Sequence, residues 1–348
     1  MSIKISIAPR TLHFKQPAGT SRGVYTTRQS WFVTATDNAH PDIRGVGECA
    51  PLPDLSCDAT PNYEERLKEL CNMVEAKGSI DYDTLRPYPS VLFGLETALL
   101  DLKRGGTGVL FDNSFARGEA GIPINGLVWM GNYDEMLQRL EEKMRAGFRC
   151  VKLKIGAIDF DRELDLVRHI RSAFTKEQIE LRVDANGGFT ADCALQRLER
   201  LAQYDIHSIE QPIRQHQWEE MAALCKATPI PIALDEELIG VNDKTEKEEL
   251  LDRIRPHYII LKPSLHGGMY GSREWIALAG KRGIGSWITS ALESNVGLNA
   301  IAQFAADVYG ENITMPQGLG TGQLFTDNIP MPLEIRGDKL WRTFNVSK

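Results

Sequence analysis

A chain of 348 residues with 42% hydrophobic and 25% charged content can fill a large core, which excludes a disordered or fibrous protein. A net charge of -7 supplies no basic field for phosphate backbones, so no nucleic-acid partner is expected. Residues 1–12 mix Lys4 and Arg10 with isolated apolar residues, and even the apolar stretch from Val91 to Leu102 is broken by Glu96 and Asp101. Neither a secretory signal nor a membrane span is expected, which leaves a cytoplasmic protein. The six cysteines are scattered without a Cys-x-x-Cys pair and are expected as free thiols.

In chain order, Lys4 to Ala8, Ser30 to Ala35 and Arg44 to Cys49 read as short strands joined by Pro and Gly turns, an antiparallel meander. Two helices follow, over Asn62 to Ala76 and Ser90 to Lys103, the second with Val91, Leu95, Ala98, Leu99 and Leu102 in a 3.6-residue rhythm. From about Ile122, short apolar runs alternate with amphipathic helices: Pro123 to Val128, Val151 to Ile155, Leu181 to Val183, Ser208 to Ile209, Ile232 to Leu234, Tyr258 to Leu261, Gly285 to Thr289 and Ile313 to Met315. Such alternation makes a parallel sheet, and eight similar units favour closure into a barrel. The tail from Met331 to Phe344 alternates like a strand and is expected to return to the first unit.

Successive barrel runs end in charged residues: Lys152 and Lys154, then Asp184, Glu210, Asp235 and Lys262. At a barrel's C-terminal rim such side chains converge. Any one of them alone would ordinarily be a helix cap or a surface ion pair; their occurrence on five consecutive strands is what points to chemistry. Three carboxylates brought together are stable at neutral pH only with cations among them, and hard oxygen ligands without sulfur or imidazole select magnesium, with manganese as substitute. Water or the carboxylate of a small-molecule substrate would complete the coordination. Lys154 is then expected as the base, with Lys152 on the same strand face supplying a like charge that lowers its pKa. Lys262, four strands further round, would approach from the opposite side.

These residues resemble the enolase superfamily in its muconate lactonizing enzyme subgroup, whose Lys-x-Lys and single Lys match Lys152, Lys154 and Lys262. Val183-Asp184-Ala185-Asn186, Glu210-Gln211-Pro212, Leu234-Asp235-Glu236 and Lys262-Pro263 match as well. The resemblance covers essentially the whole chain. It implies a (β/α)7β modified TIM barrel over residues 119–330, under an α+β capping domain of residues 1–118 that the tail 331–348 completes. It also implies metal ligands at Asp184, Glu210 and Asp235.

Within the subgroup, Gly47-Glu48-Cys49-Ala50-Pro51-Leu52-Pro53 is similar to the capping-domain motif of the o-succinylbenzoate synthases of menaquinone synthesis. That resemblance implies syn dehydration of 2-succinyl-6-hydroxy-2,4-cyclohexadiene-1-carboxylate, with Lys154 as base and then acid and Lys262 opposing the enediolate. N-acylamino acid racemisation stays open as the alternative. Dipeptide epimerases carry Asp-x-Asp after the eighth strand, where this chain has Gly318-Leu319-Gly320-Thr321, and a non-catalytic descendant would have lost a lysine or a metal ligand. Substrate contacts are expected from Asn186, from Ser290 after the seventh strand, and from Gly318, Leu319 and Gly320 by close backbone approach. Pro17 to Arg28 is expected to form a mobile loop over the substrate, with Arg22 placed for a second carboxylate. None of the seven histidines is given a catalytic role.

Overall fold

The structure is a computed structural model that describes residues 2–20, 23–129, 131–156 and 159–343. The amino-terminal meander is longer than its apolar runs suggest: β1 (Ile3–Thr20), β2 (Gly23–Asp37) and β3 (His40–Cys49) pair antiparallel in that order. Three helices follow, α1 (Tyr63–Lys77), the short α2 (Tyr82–Leu85) and α3 (Pro89–Lys103). Pro89 at the first turn of α3 gives up no bond there, because the first N–H groups of a helix have no partner within it. Buried Val91, Leu92, Leu95 and Ala98 press α3 onto the sheet. The approach is so close that a Cβ on Gly47 would lie 1.9 Å from the Gly94 carbonyl oxygen, so only glycine fits.

Within the stretch expected as a mobile loop over Pro17 to Arg28, the described residues pair as the ends of β1 and β2. Ala18 faces Tyr25, Gly19 faces Val24 and Thr20 faces Gly23, after a register shift between His13 and Ala18. Arg22 lies outside the described residues.

The barrel begins after β4 (Ile122–Pro123), with β5 (Gly126–Val128), α4 (Tyr133–Arg145), β6 (Cys150–Lys154), α5 (Phe160–Ala173), β7 (Glu180–Asp184) and α6 (Ala191–Leu201). It continues through β8 (Ser208–Glu210), α7 (Trp218–Ala227), β9 (Ile232–Leu234), α8 (Lys244–Ile254), β10 (Tyr258–Leu261), α9 (Gly268–Gly280), β11 (Gly285–Ile288) and α10 (Asn295–Tyr309). Strands β5 to β11 form one parallel seven-stranded sheet in sequence order. Polar side chains cap several of its helices. Asn132 and Glu135 make a reciprocal capping box on α4, and Asp159 and Asp243 cap α5 and α8.

The eighth position of the ring is not the run Ile313 to Met315. Gln317 and Gly318 bridge Ile124 on one side and Thr289 on the other, through Gln317 N to Pro123 O (2.8 Å) and Gly318 N to Ile288 O (2.8 Å). Pro316 has no N–H to give a ladder, so pairing starts only after it. The tail lies between the two units. Its hairpin, β12 (Leu333–Arg336) and β13 (Lys339–Arg342), pairs with β4, and Arg342 reaches the carbonyls of Ala116 and Thr107 in the first unit. Among the described residues no helix is long and apolar enough to cross a membrane.

Candidate active site

Parallel register sets the side chains that meet at the rim. Lys154 pairs with Asp184 and Asp184 with Glu210, while Asp235 and Lys262 directly follow β9 and β10. In a ring whose first strand is β5, β6 and β10 are four places apart, so Lys154 and Lys262 leave from opposite sides. Lys152 lies two residues before Lys154 on the same face, as strand alternation requires.

The charged groups form an interleaved ring. Lys152 donates to Glu210 Oε2 (2.5 Å) and lies 2.9 Å from Asp184 Oδ2, the same oxygen that Lys154 reaches at 2.9 Å. Lys262 donates to Asp235 Oδ2. The two neighbouring ammonium groups are therefore separated by a shared carboxylate, not left to repel each other. Burial disfavours the Lys152 charge, but Asp184 and Glu210 overcome it and hold the ammonium well above its usual range. The two carboxylates divide unequally. Against its own burial, Asp184 is held low by Lys152 and Lys154, whereas burial and the neighbouring Asp184 push Glu210 up.

Beyond the ring, Lys154 donates to Asn186 Oδ1 (2.6 Å), and Asn186 Nδ2 donates to Glu236 Oε1 (3.0 Å). Burial and the adjacent Asp235 raise Glu236 to about 7. Several backbones at this rim are strained: Asn186 (φ 44°), Gln211 (φ 37°) and Leu292 (φ 64°) occupy the left-handed region. Gln211 shows what holds them, since its amide oxygen accepts from the Asp235 and Glu237 N–H groups and its nitrogen donates to Glu237 and to the Ile213 carbonyl.

Do these residues suit a metal? Glu210 Oε1 and Asp235 Oδ1, at the ends of neighbouring strands, are buried without a hydrogen-bond partner among the described residues, and both are hard oxygen donors. Even with all four carboxyl groups ionised (Asp184, Glu210, Asp235, Glu236) against three ammonium groups (Lys152, Lys154, Lys262), one dication would turn the local balance positive and suit an anionic substrate. By donor type and orphaned oxygens the residues fit a divalent cation. Their present arrangement has lysines on the other oxygens, and among the described residues no three acidic, histidine or cysteine side chains converge on one point.

Above the ring lies a cavity of about 660 Å³. Its floor holds Lys152, Lys154, Asp184, Asn186, Glu210, Glu236 and Lys262, and its walls are largely apolar, from Phe14 and Tyr25 of the first hairpin, Leu52 and Leu55 after β3, Trp129, Leu292 and Leu324. A polar floor under apolar walls suits a small molecule with a charged end and a hydrocarbon body.

Of the expected loop contacts, Ser290, Gly318 and Gly320 line this cavity. Leu319 does not, because its side chain is fully buried in the barrel core. Gly318 also has a different reason to be glycine. A Cβ there would lie 2.0 Å from Thr289 Oγ1, so close packing at the ring closure requires it irrespective of any ligand.

Sequence reasoning missed the groups that hold the two units together at the cavity. The buried Arg28 donates to the carbonyls of Ala50, Pro51, Ala291 and Leu292, tying the loop after β3 to the loop after β11. Glu48 of the Gly47–Pro53 motif accepts from Ser30 Oγ (2.8 Å), Ser294 N (3.0 Å), Ser294 Oγ (2.5 Å) and Gly297 N (3.0 Å), so it caps α10 from the other unit. Local sequence carries no sign of such distant partners. His266 was missed too: it is buried, and its Nδ1 accepts from the Lys262 N–H at 2.8 Å. The Lys262-x-x-x-His266 spacing on a turn was the available signal.

Residues 135–337, more than half of the chain, match the enolase C-terminal domain-like family, and residues 20–102 match the MenC N-terminal domain. An o-succinylbenzoate synthase of Desulfotalea psychrophila is 47% identical over 369 aligned positions, covering 97% of this chain and 98% of the relative. The crystal structure of MenC from Desulfotalea psychrophila LSv54 superposes with a TM-score of 0.82 at 43% identity, covering 98% of this chain and all of that one. The substrate-liganded L-Ala-D/L-Glu epimerase of Bacillus subtilis, at 19% identity, shares the fold alone, with a TM-score of 0.81 over 98% of this chain and 96% of its own. With a domain model over more than half of its length and a 47% identical relative nearly end to end, the chain belongs to the o-succinylbenzoate synthase family of the enolase superfamily.

Proposed function

We propose that this protein is an o-succinylbenzoate synthase, which removes water from 2-succinyl-6-hydroxy-2,4-cyclohexadiene-1-carboxylate to give 2-succinylbenzoate in menaquinone biosynthesis. The observation that carries this reading is the near end-to-end similarity to an o-succinylbenzoate synthase in both units of the chain. Lys154 sits at the cavity floor, where it can take the proton next to the substrate carboxylate and pass it to the departing hydroxyl, so that one proton and one hydroxide leave as water. Lys262, from the opposite side of the ring, offsets the negative charge that develops on the substrate carboxylate. Asp184, Glu210 and Asp235 would hold magnesium, replaceable by manganese, which when bound supplies Lewis-acid stabilisation of that charge. The apolar walls exclude water around the ring being aromatised. Six free cysteines suit the reducing cytoplasm, where we place the protein.

Lysines on opposite sides of the ring also suit N-acylamino acid racemisation, which needs an acid on one face and a base on the other. Assays of cyclohexadiene dehydration and of N-succinyl amino acid racemisation on the same preparation separate the two. Turnover of the amino acids alone would sink the synthase reading.

A further inference from the structure

Among the described residues the Lys154 ammonium has two acceptors, and one of them, Asp184, belongs to the carboxylate ring. The other is the Asn186 amide oxygen at 2.6 Å, and the amide nitrogen of the same side chain donates to Glu236 Oε1 at 3.0 Å. Reversing this amide would turn its NH₂ group toward an ammonium and its oxygen toward a carboxylate, both repulsive, so the two charged neighbours fix its orientation. Asn186 is held further by its own N–H, which donates to Asp184 Oδ1 at 3.0 Å, in a left-handed backbone that asparagine tolerates better than most residues. Glu236 is nearly inaccessible, and its second oxygen is buried without a partner among the described residues. A carboxylate placed there at the expense of burial and of repulsion from Asp235 calls for a compensating role.

We infer that Glu236 is a positioning residue for proton transfer: by orienting the Asn186 amide it fixes where the Lys154 amine points over the cavity floor. The inference rests on Lys154 being the proton-transferring group. Without the Glu236 acceptor the Asn186 side chain can rotate, and among the described residues Lys154 then keeps Asp184 alone to direct it. A misplaced amine slows the chemical step and leaves substrate binding nearly unchanged.

The test uses near-isosteric variants in the magnesium-loaded enzyme, reading kcat and KM for dehydration and magnesium affinity by calorimetry. N186D still accepts from Lys154 but sets two carboxylates against each other, and is expected to lower kcat about 100-fold with KM and magnesium affinity within about 3-fold. E236Q adds an N–H donor toward that position, so N186D/E236Q is expected to recover to within about 10-fold of wild type. N186D/E236L has the same net charge without the donor and is expected to stay as slow as N186D. Equal recovery in N186D/E236L and N186D/E236Q would overturn the inference, because charge alone would then account for the effect. So would an E236L single variant that folds and keeps wild-type kcat, or an N186D loss that appears only in KM or metal affinity. K154A tests the underlying reading separately: undiminished turnover there would remove Lys154 as the base whatever the Glu236 variants do.

Discussion

Replacing Arg28 with methionine tests how the two units are locked together over the cavity. The guanidinium is buried and serves four carbonyl oxygens, those of Ala50 (2.5 Å), Pro51, Ala291 (3.4 Å) and Leu292 (3.3 Å). Methionine fills the space of the stem and leaves all four acceptors without this donor. An unsatisfied buried acceptor costs about 1–3 kcal/mol, which would sum to as much as about 12 kcal/mol if nothing moved. Two effects reduce that figure: the loops can turn some carbonyls toward water, and the burial of the cation, which pulls the Arg28 pKa down, is relieved. Loss of the positive charge beside Glu48 and Glu293 acts in the other direction. The net expectation is about 3–5 kcal/mol, the range for removing one member of a buried charged network. R28K keeps the charge but not the planar fork, and should lose about half as much. Denaturant melts followed by tryptophan fluorescence measure the loss as a shift in midpoint at unchanged slope. The loops that Arg28 ties also carry Leu52, Leu55 and Leu292 into the cavity wall, so KM should rise more than kcat falls. An R28M variant within about 1 kcal/mol of wild type, with unaltered KM, would refute this account.

Further expectations follow from the same structure. K154A should lose at least about three orders of magnitude in kcat while magnesium affinity changes little, checked by steady-state kinetics and calorimetry on one preparation. Adding magnesium to metal-free protein should raise its stability by about 2.7 kcal/mol at one hundred times the dissociation constant, and an unchanged melting temperature would argue against a site at Asp184, Glu210 and Asp235. Asp58, which accepts from Ser90 N (2.8 Å) and Ser90 Oγ (2.6 Å), is raised by burial from 3.8 to about 6. Its folded form thus favours the proton, so this contribution is fully present below the unfolded pKa and is lost as pH climbs to about 6. The stability of D58N relative to wild type should accordingly improve by up to about 3 kcal/mol between pH 4 and pH 6.5, and a pH-independent difference would contradict the shift. G47A forces a Cβ to within 1.9 Å of the Gly94 carbonyl oxygen and should destabilise by about 3 kcal/mol or more, read as a lowered melting temperature.

The amino-acid sequence by itself determined the alternating barrel, seven of its eight expected strand runs and the charged residues at their ends. Hydrophobic period and the position after a strand are local properties, so Lys152, Lys154, Asp184, Glu210, Asp235 and Lys262 were legible before any fold was known. The first sheet was legible for the same reason, although its hairpin extends to Thr20 and Gly23 where a loop was expected, because pairing between β1 and β2 supports residues with little strand preference of their own. Only the tertiary structure decided how the ring closes. Pro316 forbids the ladder that the Ile313–Met315 run suggested, and Gln317 and Gly318 take its place because Thr289 leaves no room for a side chain at 318. The same holds for Arg28 reaching Leu292, Glu48 capping α10 and Glu236 orienting Asn186: each joins residues far apart in the chain, by hydrogen bonds whose geometry exists only once the units have packed. Which groups carry the charge is written in the residue types. Which way each of them points is set by partners that folding brings from elsewhere.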